Sequence, residues 1–457
     1  MAVVLIILES AVLFAAVWVT TFLSSYLVSA NGLDTTVYIG EALTFTLCYV
    51  LSFYYANLYD LRRVGTFGEF SKRLPQSLCL LLILLITLSV VLPSKGLSSG
   101  PLTVSLLFLC VSVVLLLPIR GLLYAVMKTP LFTQRFLILG TGELAQAITK
   151  EIEVASHLRY TIVGFVDDEK MPSADHPSRL AYSILGPLED VSDIIETFHP
   201  NGLIVALTER RRRLPVQALL DSFAKGIMVE DGVEVYERLT GKLAIENLLP
   251  SVLLFSKDFK KVKGRKALRR LTSVVIAVIG LILAAPLMGI IALAIKLDSA
   301  GPVFFVQERS GLGGRIFRLV KFRSMHPAAC DAIEPVWSRD VTSRLTRVGK
   351  WLRRFYLDEL PQLINLLRGD MDLVGPRPEM ASNVQTMAEH IPYYTIRNTV
   401  RPGITGWAQI KQGYAVSQEE VTEKMRYDLY YIKHMSLWLD LRILLDTLKI
   451  VLSQRGT

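Results

Sequence analysis

Two neighbouring carboxylates, Asp358 and Glu359, stand in the stretch Tyr356-Leu-Asp358-Glu359-Leu-Pro361-Gln362-Leu-Ile-Asn365. Within a few residues the chain continues Arg368-Gly-Asp370-Met-Asp372-Leu-Val-Gly375-Pro376-Arg377-Pro378-Glu379. A carboxylate can hold a metal or attack phosphorus, and an arginine stiffened by a proline on each side can grip phosphate. These residue types together point to phosphoryl transfer. The apolar spacing Leu357, Leu360, Ile364, Leu367 is helical, and Pro361 is tolerated only in a first turn, so the spacing predicts Asp358 near a helix N-cap. There the helix dipole and free N–H groups favour an ionised carboxylate, which can attack phosphorus once a divalent cation neutralises the phosphate. An acidic N-cap followed by Glu is also a common structural pattern, so the pair alone leaves both readings open.

Cations that could serve such chemistry flank the pair. Phe317-Arg-Leu-Val-Lys321-Phe-Arg323-Ser-Met325 follows the glycine turn Ser310-Gly-Leu-Gly-Gly-Arg315. If it is a strand, period-two geometry puts Lys321 and Arg323 on one face, a pairing that suits a pyrophosphate. An edge strand with protective charges would read the same way. Val400-Arg401-Pro402-Gly403-Ile-Thr405-Gly406-Trp407 supplies another stiffened arginine. Arg377 and Arg401 are therefore candidate clamps for phosphate or carboxylate.

The elements that must position these residues belong partly to a membrane. The 457 residues are 51% hydrophobic and carry a net charge of +9. Four apolar segments, about residues 3–28, 37–55, 74–92 and 102–126, each approach the ~20 residues that cross a hydrocarbon core. The first lacks the basic start and cleavage site of a removable signal peptide. Basic residues gather in the second linker (Arg62, Arg63, Lys72, Arg73) and after the fourth segment (Lys128, Arg135). Both ends of this unit are thus expected to face the cytoplasm. A fifth apolar run, about residues 271–295, has basic residues on both flanks and Pro286 near its middle. That combination favours a re-entrant helix, broken at Pro286, that enters and leaves by the cytoplasmic face; an ordinary kinked span is the alternative. The basic stretch from Lys257 to Arg270 would hold the following domain against anionic lipid.

Residues 131–256 read as a soluble α/β domain, with strands at 136–139, 160–166, 203–207 and 227–229 alternating with helices. Gly140-Thr-Gly142-Glu-Leu-Ala145 with Asp167 at the end of the second strand formally matches a dinucleotide turn, which alone is weak evidence for a ligand. A glycine turn that only lets strand and helix pack closely fits as well. The last helix, residues 437–453, alternates apolar and charged positions and can lie in an interface or pack on a core. Cys48, Cys79, Cys110 and Cys330 show neither disulfide nor zinc spacing. The basic residues flank membrane segments and are not interleaved with aromatics, which argues against nucleic acid.

The order Gly301-Pro-Val-Phe-Phe, Lys321-Phe-Arg323-Ser-Met, Leu357-Asp-Glu-Leu-Pro-Gln-Leu, Gly369-Asp-Met-Asp-Leu-Val-Gly-Pro-Arg-Pro-Glu and Arg401-Pro-Gly-Ile-Thr-Gly resembles the bacterial sugar transferase family, the monotopic phosphoglycosyl transferases. The resemblance runs from about Lys263 to the C-terminus. With four spanning helices and a Rossmann-like, CoA-binding-like insert, the chain is similar to the long subclass, which initiates exopolysaccharide, capsule or O-antigen synthesis. The resemblance implies a membrane protein of α plus α/β class: four transmembrane helices (1–130), a Rossmann-like cytosolic domain (131–256) and a catalytic domain with a re-entrant helix (257–457). It implies residence in the bacterial inner membrane, with the globular parts in the cytoplasm. It further implies transfer of sugar-1-phosphate from a UDP-sugar to undecaprenyl phosphate with release of UMP. In that reading Asp358 is the nucleophile and forms a covalent phosphosugar, and Asp358 and Glu359 hold Mg²⁺. Lys321, Arg323, Arg377 and Arg401 then bind diphosphate, nucleotide or lipid phosphate. The family's Ser-Pro helix break is Ala285-Pro286 here, and Asp372 replaces a common serine, so its contact with metal is open. A homodimer through the membrane or middle segment is the expected assembly. Two alternatives stay beside this one: a non-catalytic scaffold for polysaccharide assembly, and a membrane-anchored nucleotide-sugar dehydratase. The latter wants a Tyr-x-x-x-Lys pair beyond the glycine turn, and the chain has that spacing only at Tyr124 and Lys128.

Overall fold

The computed structural model describes residues 5–15, 18, 35–60, 64, 66–91, 101–127, 133–154, 160–168, 182–207, 213–247, 263–326, 345–413 and 417–452. The chain forms two compact units, Met1–Asp231 and Gly232–Thr457.

The first unit begins with helices α1 (Leu5–Ala15), α2 (Thr35–Tyr55), α3 (Phe67–Val91) and α4 (Pro101–Met127). Phe45, Tyr49, Phe53, Phe70, Leu81 and Leu116 share one buried core, while Leu43, Leu47, Ile83 and Val114 face outward. Inside that core the Arg120 guanidinium donates to the Glu9 carboxylate at 3.1 Å and to the Leu58 carbonyl at 3.3 Å. A cation in so apolar a setting persists only when paired in this way. Among the described residues, Phe67–Leu88 and Ala267–Asp298 are long and apolar enough to cross a membrane. Their outward apolar faces mark a membrane protein.

The α/β part of this unit runs β1 (Gln134–Leu139), α5 (Glu143–Val154), β2 (Tyr160–Val166), β3 (Ile184–Gly186), α6 (Val191–Phe198), β4 (Gly202–Val205), α7 (Val216–Ala224) and β5 (Met228–Asp231). All neighbouring strands pair in parallel, in the order β3-β2-β1-β4-β5. β1 and β4 are central strands, buried from Phe136 to Leu139 and throughout β4, which is why those stretches read as unbroken apolar runs. β3 was not expected; its three residues are too few to show a period. Gly140 turns β1 toward α5 with φ of 106°, and a Cβ there would lie 2.8 Å from the Ala206 carbonyl oxygen. Only glycine fits that turn.

The second unit opens with α8 (Gly232–Thr240) and a 3₁₀ turn at Ile245–Asn247. Leu243 and Ile245 enter a core with Trp407, Met425, Leu429 and Ile432. Trp407 Nε1 donates to the Gly241 carbonyl at 2.8 Å, and Lys433 Nζ donates to Glu237 Oε2 at 2.8 Å. The stretch from Gly232 therefore packs with the C-terminal unit, although its composition matches the α/β sheet before it.

Then follow α9 (Lys263–Asp298), β6 (Phe304–Ser310), β7 (Ile316–Phe322), α10 (Arg347–Arg354), α11 (Gln362–Arg368), β8 (Asp372–Val374), α12 (Ala381–His390), β9 (Gly403–Thr405), α13 (Trp407–Lys411), α14 (Gln418–His434) and α15 (Leu437–Leu452). α9 is 36 residues long and stays helical through Pro286, where a break was expected. A proline removes one backbone donor, and here that loss does not end the helix. One side of α9 packs along the unit. Ala277 meets Leu319 and Leu366, and Ile291 and Ile295 meet Phe322 and Leu352. The other side exposes Ile279, Ile282, Leu283, Ile290 and Leu293. Arg269 and Arg270, assigned to lipid from the sequence, point inward instead. Arg269 Nε donates to Asp440 at 2.6 Å, and Arg270 Nη1 donates to the Leu366 carbonyl at 2.6 Å, at the end of α11. Lys257, Lys260 and Lys261 lie outside the described residues.

Candidate active site

The candidate centre is built on a strained turn. Tyr356 has φ of 56° and ψ of 20°, a left-handed conformation that costs a bulky residue roughly 1–3 kcal/mol. It redirects the chain leaving α10 into the 3₁₀ turn Leu357–Glu359, closed by the Glu359 N–H donating to the Tyr356 carbonyl at 3.2 Å. Asp358 and Glu359 therefore sit in this tight turn, ahead of α11, and not at the predicted helix N-cap. That position falls to Pro361.

The two acids are in different electrostatic states. Glu359 Oε1 accepts from Lys321 Nζ and from Arg377 Nη2, each at 2.9 Å. Burial alone would raise its pKa, but Arg377 and Lys321 outweigh burial and bring it down to about 2. Asp358 is only 8% exposed and accepts no hydrogen bond among the described residues. Burial pushes its pKa up and Glu359 adds to that, against the pull of Lys321, Arg353 and Arg377. Lys321 is itself shifted down, first by burial and then by Arg377, with Glu359 and Asp358 opposing.

Supporting residues hold this geometry. Fully buried Asn365 donates to the Arg318 carbonyl at 2.7 Å and to Asp370 at 3.0 Å, and its Oδ1 accepts the Val320 N–H at 3.0 Å. It pins β7 to α11 at the residue beside Lys321. Its signal in the sequence is one polar residue in the apolar run Leu363, Ile364, Leu366, Leu367. Arg377 is held through its backbone, because Arg397 Nη2 donates to the Arg377 carbonyl at 2.7 Å. Arg397 also donates to Tyr394 Oη at 2.7 Å and to Asp428 at 3.1 Å. The loops that carry Arg377 and Arg401 cross backbone to backbone, and a Cβ on Gly403 would collide with the Gly375 amide. The motif glycine at 403 is a packing requirement.

The other predicted residues lie elsewhere. Arg323 does not join Lys321. Its Nη1 donates to the Ala300 carbonyl at 2.7 Å and its Nη2 to the Ser299 carbonyl at 2.7 Å, so it caps the end of α9. The strand ends at Phe322, and the period-two argument fails one residue beyond it. Arg401 makes no ion pair with either acid of the dyad; its Nε donates to the Gly369 carbonyl at 3.0 Å. Asp372 is buried on β8, where burial raises its pKa against Arg269, Arg401 and Arg270. Those arginines act on it through charge, and its Oδ1 is buried without a hydrogen-bond partner among the described residues. In the first unit Asp167 Oδ2 accepts the Thr141 N–H and Oγ1, each at 2.8 Å, while Oδ1 takes Arg213 Nη2 at 2.7 Å. The acid of the formal dinucleotide match is thus held by protein groups, and Gly142 opens α5 with its carbonyl accepting the Gln146 N–H. Arg397, Lys424 and Asp428 escaped the sequence reading. The last two are charges at i and i+4 beside the buried Met425 and Leu429 of α14.

No group of three or more His, Cys, Asp or Glu gathers as a metal cage among the described residues. A hard dication that shares phosphate oxygens needs only one or two carboxylates. Asp358 fits that donor set, as does Glu359, whose Oε1 alone carries both cations. Chemically, the arrangement offers a buried carboxylate without a hydrogen-bond partner among the described residues, beside two cations able to neutralise phosphate.

Residues 264–454 match the model of a family described as bacterial sugar transferase. The chain is 42% identical over 229 residues to a UDP-N-acetylgalactosamine-undecaprenyl-phosphate N-acetylgalactosaminephosphotransferase of Aeromonas hydrophila, covering 49% of this chain and 52% of that protein. It is 32% identical over 314 residues to a UDP-glucose:undecaprenyl-phosphate glucose-1-phosphate transferase of Escherichia coli (strain K12), covering 67% and 65%. A Caulobacter vibrioides protein with the latter activity in its name is 43% identical over 187 residues, covering 40% of this chain and 70% of its own length. The chain thus spans between half and two thirds of the first two relatives.

Proposed function

The chain belongs to the bacterial sugar transferase family, and on that premise we propose that it transfers sugar-1-phosphate from a UDP-sugar to undecaprenyl phosphate in two displacements at Asp358. An Asp358 carboxylate oxygen attacks the phosphorus that carries the sugar. The P–O–P bridge breaks, and UMP leaves with the bonding electrons. A phosphate oxygen of the lipid then attacks the same phosphorus, expelling the Asp358 carboxylate and forming the lipid diphosphate sugar.

The observation that carries this reading is the contrast within the dyad: Glu359 is engaged by Lys321 and Arg377, while Asp358 is buried without a hydrogen bond among the described residues. A carboxylate that spends no lone pair on a donor among the described residues is available to attack, provided nearby cations offset the charge of the incoming phosphate. Lys321 and Arg377 stand where they can do so. Mg²⁺ would be held by Asp358 and Glu359 and would supply further charge neutralisation at the phosphates.

The chemistry is assigned to the cytoplasmic face of the bacterial inner membrane, with α1 to α4 as a multi-pass anchor. α9 is read as re-entrant, turned back by a bend at Pro286 that does not interrupt the helix. Its beginning is bonded through Arg269 and its end through the Asp298 carboxylate, which accepts the Val348 N–H at 3.0 Å, and both bonds go to the same compact unit. A helix crossing the bilayer would hold those ends on opposite sides. UDP-sugar from the cytosol and lipid phosphate from the bilayer could then reach one carboxylate. Such transfer would initiate a surface polysaccharide.

Intact mass spectrometry of the full chain with Mg²⁺ and a panel of UDP-sugars, without lipid, tests the reading. A sugar-phosphate adduct is expected, absent in Asp358→Asn and discharged by undecaprenyl phosphate. Near-normal UMP release from Asp358→Asn would remove Asp358 as the nucleophile.

A further inference from the structure

Two cations face the Glu379 carboxylate in different ways. Arg397 is engaged by Tyr394, Asp428 and the Arg377 carbonyl, and its ion pair with Asp428 leaves the two side chains 4% and 2% exposed. Lys424 is not engaged in this way. Its amine lies 3.7 Å from Glu379 Oε2 and donates no hydrogen bond among the described residues. Glu379 Oε2 is 3.6 Å from Arg397 Nη1, again beyond a hydrogen bond, and Oε1 takes only the Met380 N–H at 3.3 Å. The two side chains remain 15% and 22% exposed, so the pair is not sealed from solvent. Burial favours the neutral acid, but Lys424, Arg397 and Arg309 overcome it and hold Glu379 ionised.

We propose that Glu379 and Lys424 form a seat for hydroxyl groups of the nucleotide-sugar donor. This deepens the transfer reading and rests on it. A phosphate would be repelled by the carboxylate, and an ammonium ligand by Lys424. A hydroxyl satisfies both, donating to the carboxylate and accepting from the amine. The gap suits it: an oxygen about 2.8 Å from each group fits beside a pair 3.7 Å apart. The position suits it as well, since Glu379 follows Arg377 by two residues and Arg377 Nη2 meets Glu359 at 2.9 Å. Sugar or ribose hydroxyls of a donor bound through its phosphates at Arg377 extend from that point. The ion pair of Arg397 with Asp428 keeps the loop in place, so the seat is preformed.

The detergent-solubilised full chain is compared with Glu379→Gln, Lys424→Met and the double variant. Calorimetric binding of UDP-glucose, UDP-N-acetylgalactosamine and UMP is measured beside UMP-release kinetics. Each single variant is expected to bind donor about tenfold more weakly, with kcat at saturating donor nearly unchanged and the double variant little worse than either single one. If hexose hydroxyls occupy the seat, UMP binding is unchanged and the two donors suffer unequally. If ribose hydroxyls occupy it, UMP weakens by the same factor. Donor and UMP affinities within about twofold of the parent in both single variants would overturn the seat. A parent that binds UDP-sugars but releases no UMP would sink the transfer reading, while the binding ratios still decide the seat. A parent that binds no nucleotide overturns both.

Discussion

Asp167 and Asp358 are two acids on two turns, one at the end of a strand in the first unit and one after a helix in the second. Asp167 accepts from both donors of Thr141 and pairs with Arg213. Asp358 has burial and neighbouring charge but no hydrogen bond among the described residues. A satisfied buried carboxylate contributes to stability and has little left for a ligand. One without such bonds is costlier to keep buried and persists where surrounding structure holds it. Here the holders are the left-handed Tyr356 and the pinning of β7 by Asn365, which keeps Lys321 on Glu359. The difference separates a turn saturated with hydrogen bonds from one that is not, and the proposed function makes the latter the reactive one, although both looked like site residues in the sequence.

The harshest way to break this comparison is to delete Asp167 with its whole sheet. Excision of residues 135–231 should leave transfer activity in a chain that still inserts. Excision of 135–255 should abolish it, because Leu243 and Ile245 leave the core and Glu237 leaves Lys433. UMP release from both inserted proteins checks this, and equal loss from both would mean that the sheet serves the reaction. Next in size is Lys321→Met, which leaves Glu359 with Arg377 alone and removes a cation beside Asp358. A loss of about 10²–10³ in kcat is expected, with membrane insertion intact.

Legibility in the sequence followed the range of each interaction. The parallel sheet and the apolar segments could be read because strand period and hydrophobic length are local properties. Residue types and order singled out Asp358, Glu359, Lys321 and Arg377, and the fold brings both cations to Glu359. Arg323 misled because a strand boundary decides which way a side chain points, and the strand stops at Phe322. Arg397 and Asp428 stayed hidden because a buried pair 31 residues apart leaves no spacing to notice. The same holds for Gly232–Asn247, whose composition matches the sheet but whose partners lie on α13 and α14.

The charged neighbours of Glu379 give a smaller, pH-dependent effect. Its pKa in the fold is about 2 against an ordinary 4.5. A depressed acid contributes stability that is present above about pH 4.5 and lost as the pH falls toward 2. The contribution is at most about 3 kcal/mol. Denaturant midpoints of the parent should therefore fall more steeply over that window than those of Glu379→Gln. Parallel curves would show that Glu379 gains nothing from Arg397 and Lys424.

The smallest effect on turnover is expected at Asp167 itself. Asp167→Asn keeps an oxygen for Thr141 but removes the charge that faces Arg213, whose side chain is 26% exposed and partly solvated. Stability of the first unit should fall by about 1–3 kcal/mol, less than a fully buried pair would lose. UMP release at saturating donor should stay within about twofold of the parent, since the Asp167 carboxylate meets Thr141 and Arg213 and not a reacting atom. A tenfold loss of turnover in an Asp167→Asn protein that remains folded would mean that the turn at Gly140 communicates with Asp358. The satisfied acid would then be part of a control site, and hydrogen-bond saturation would no longer separate the two turns.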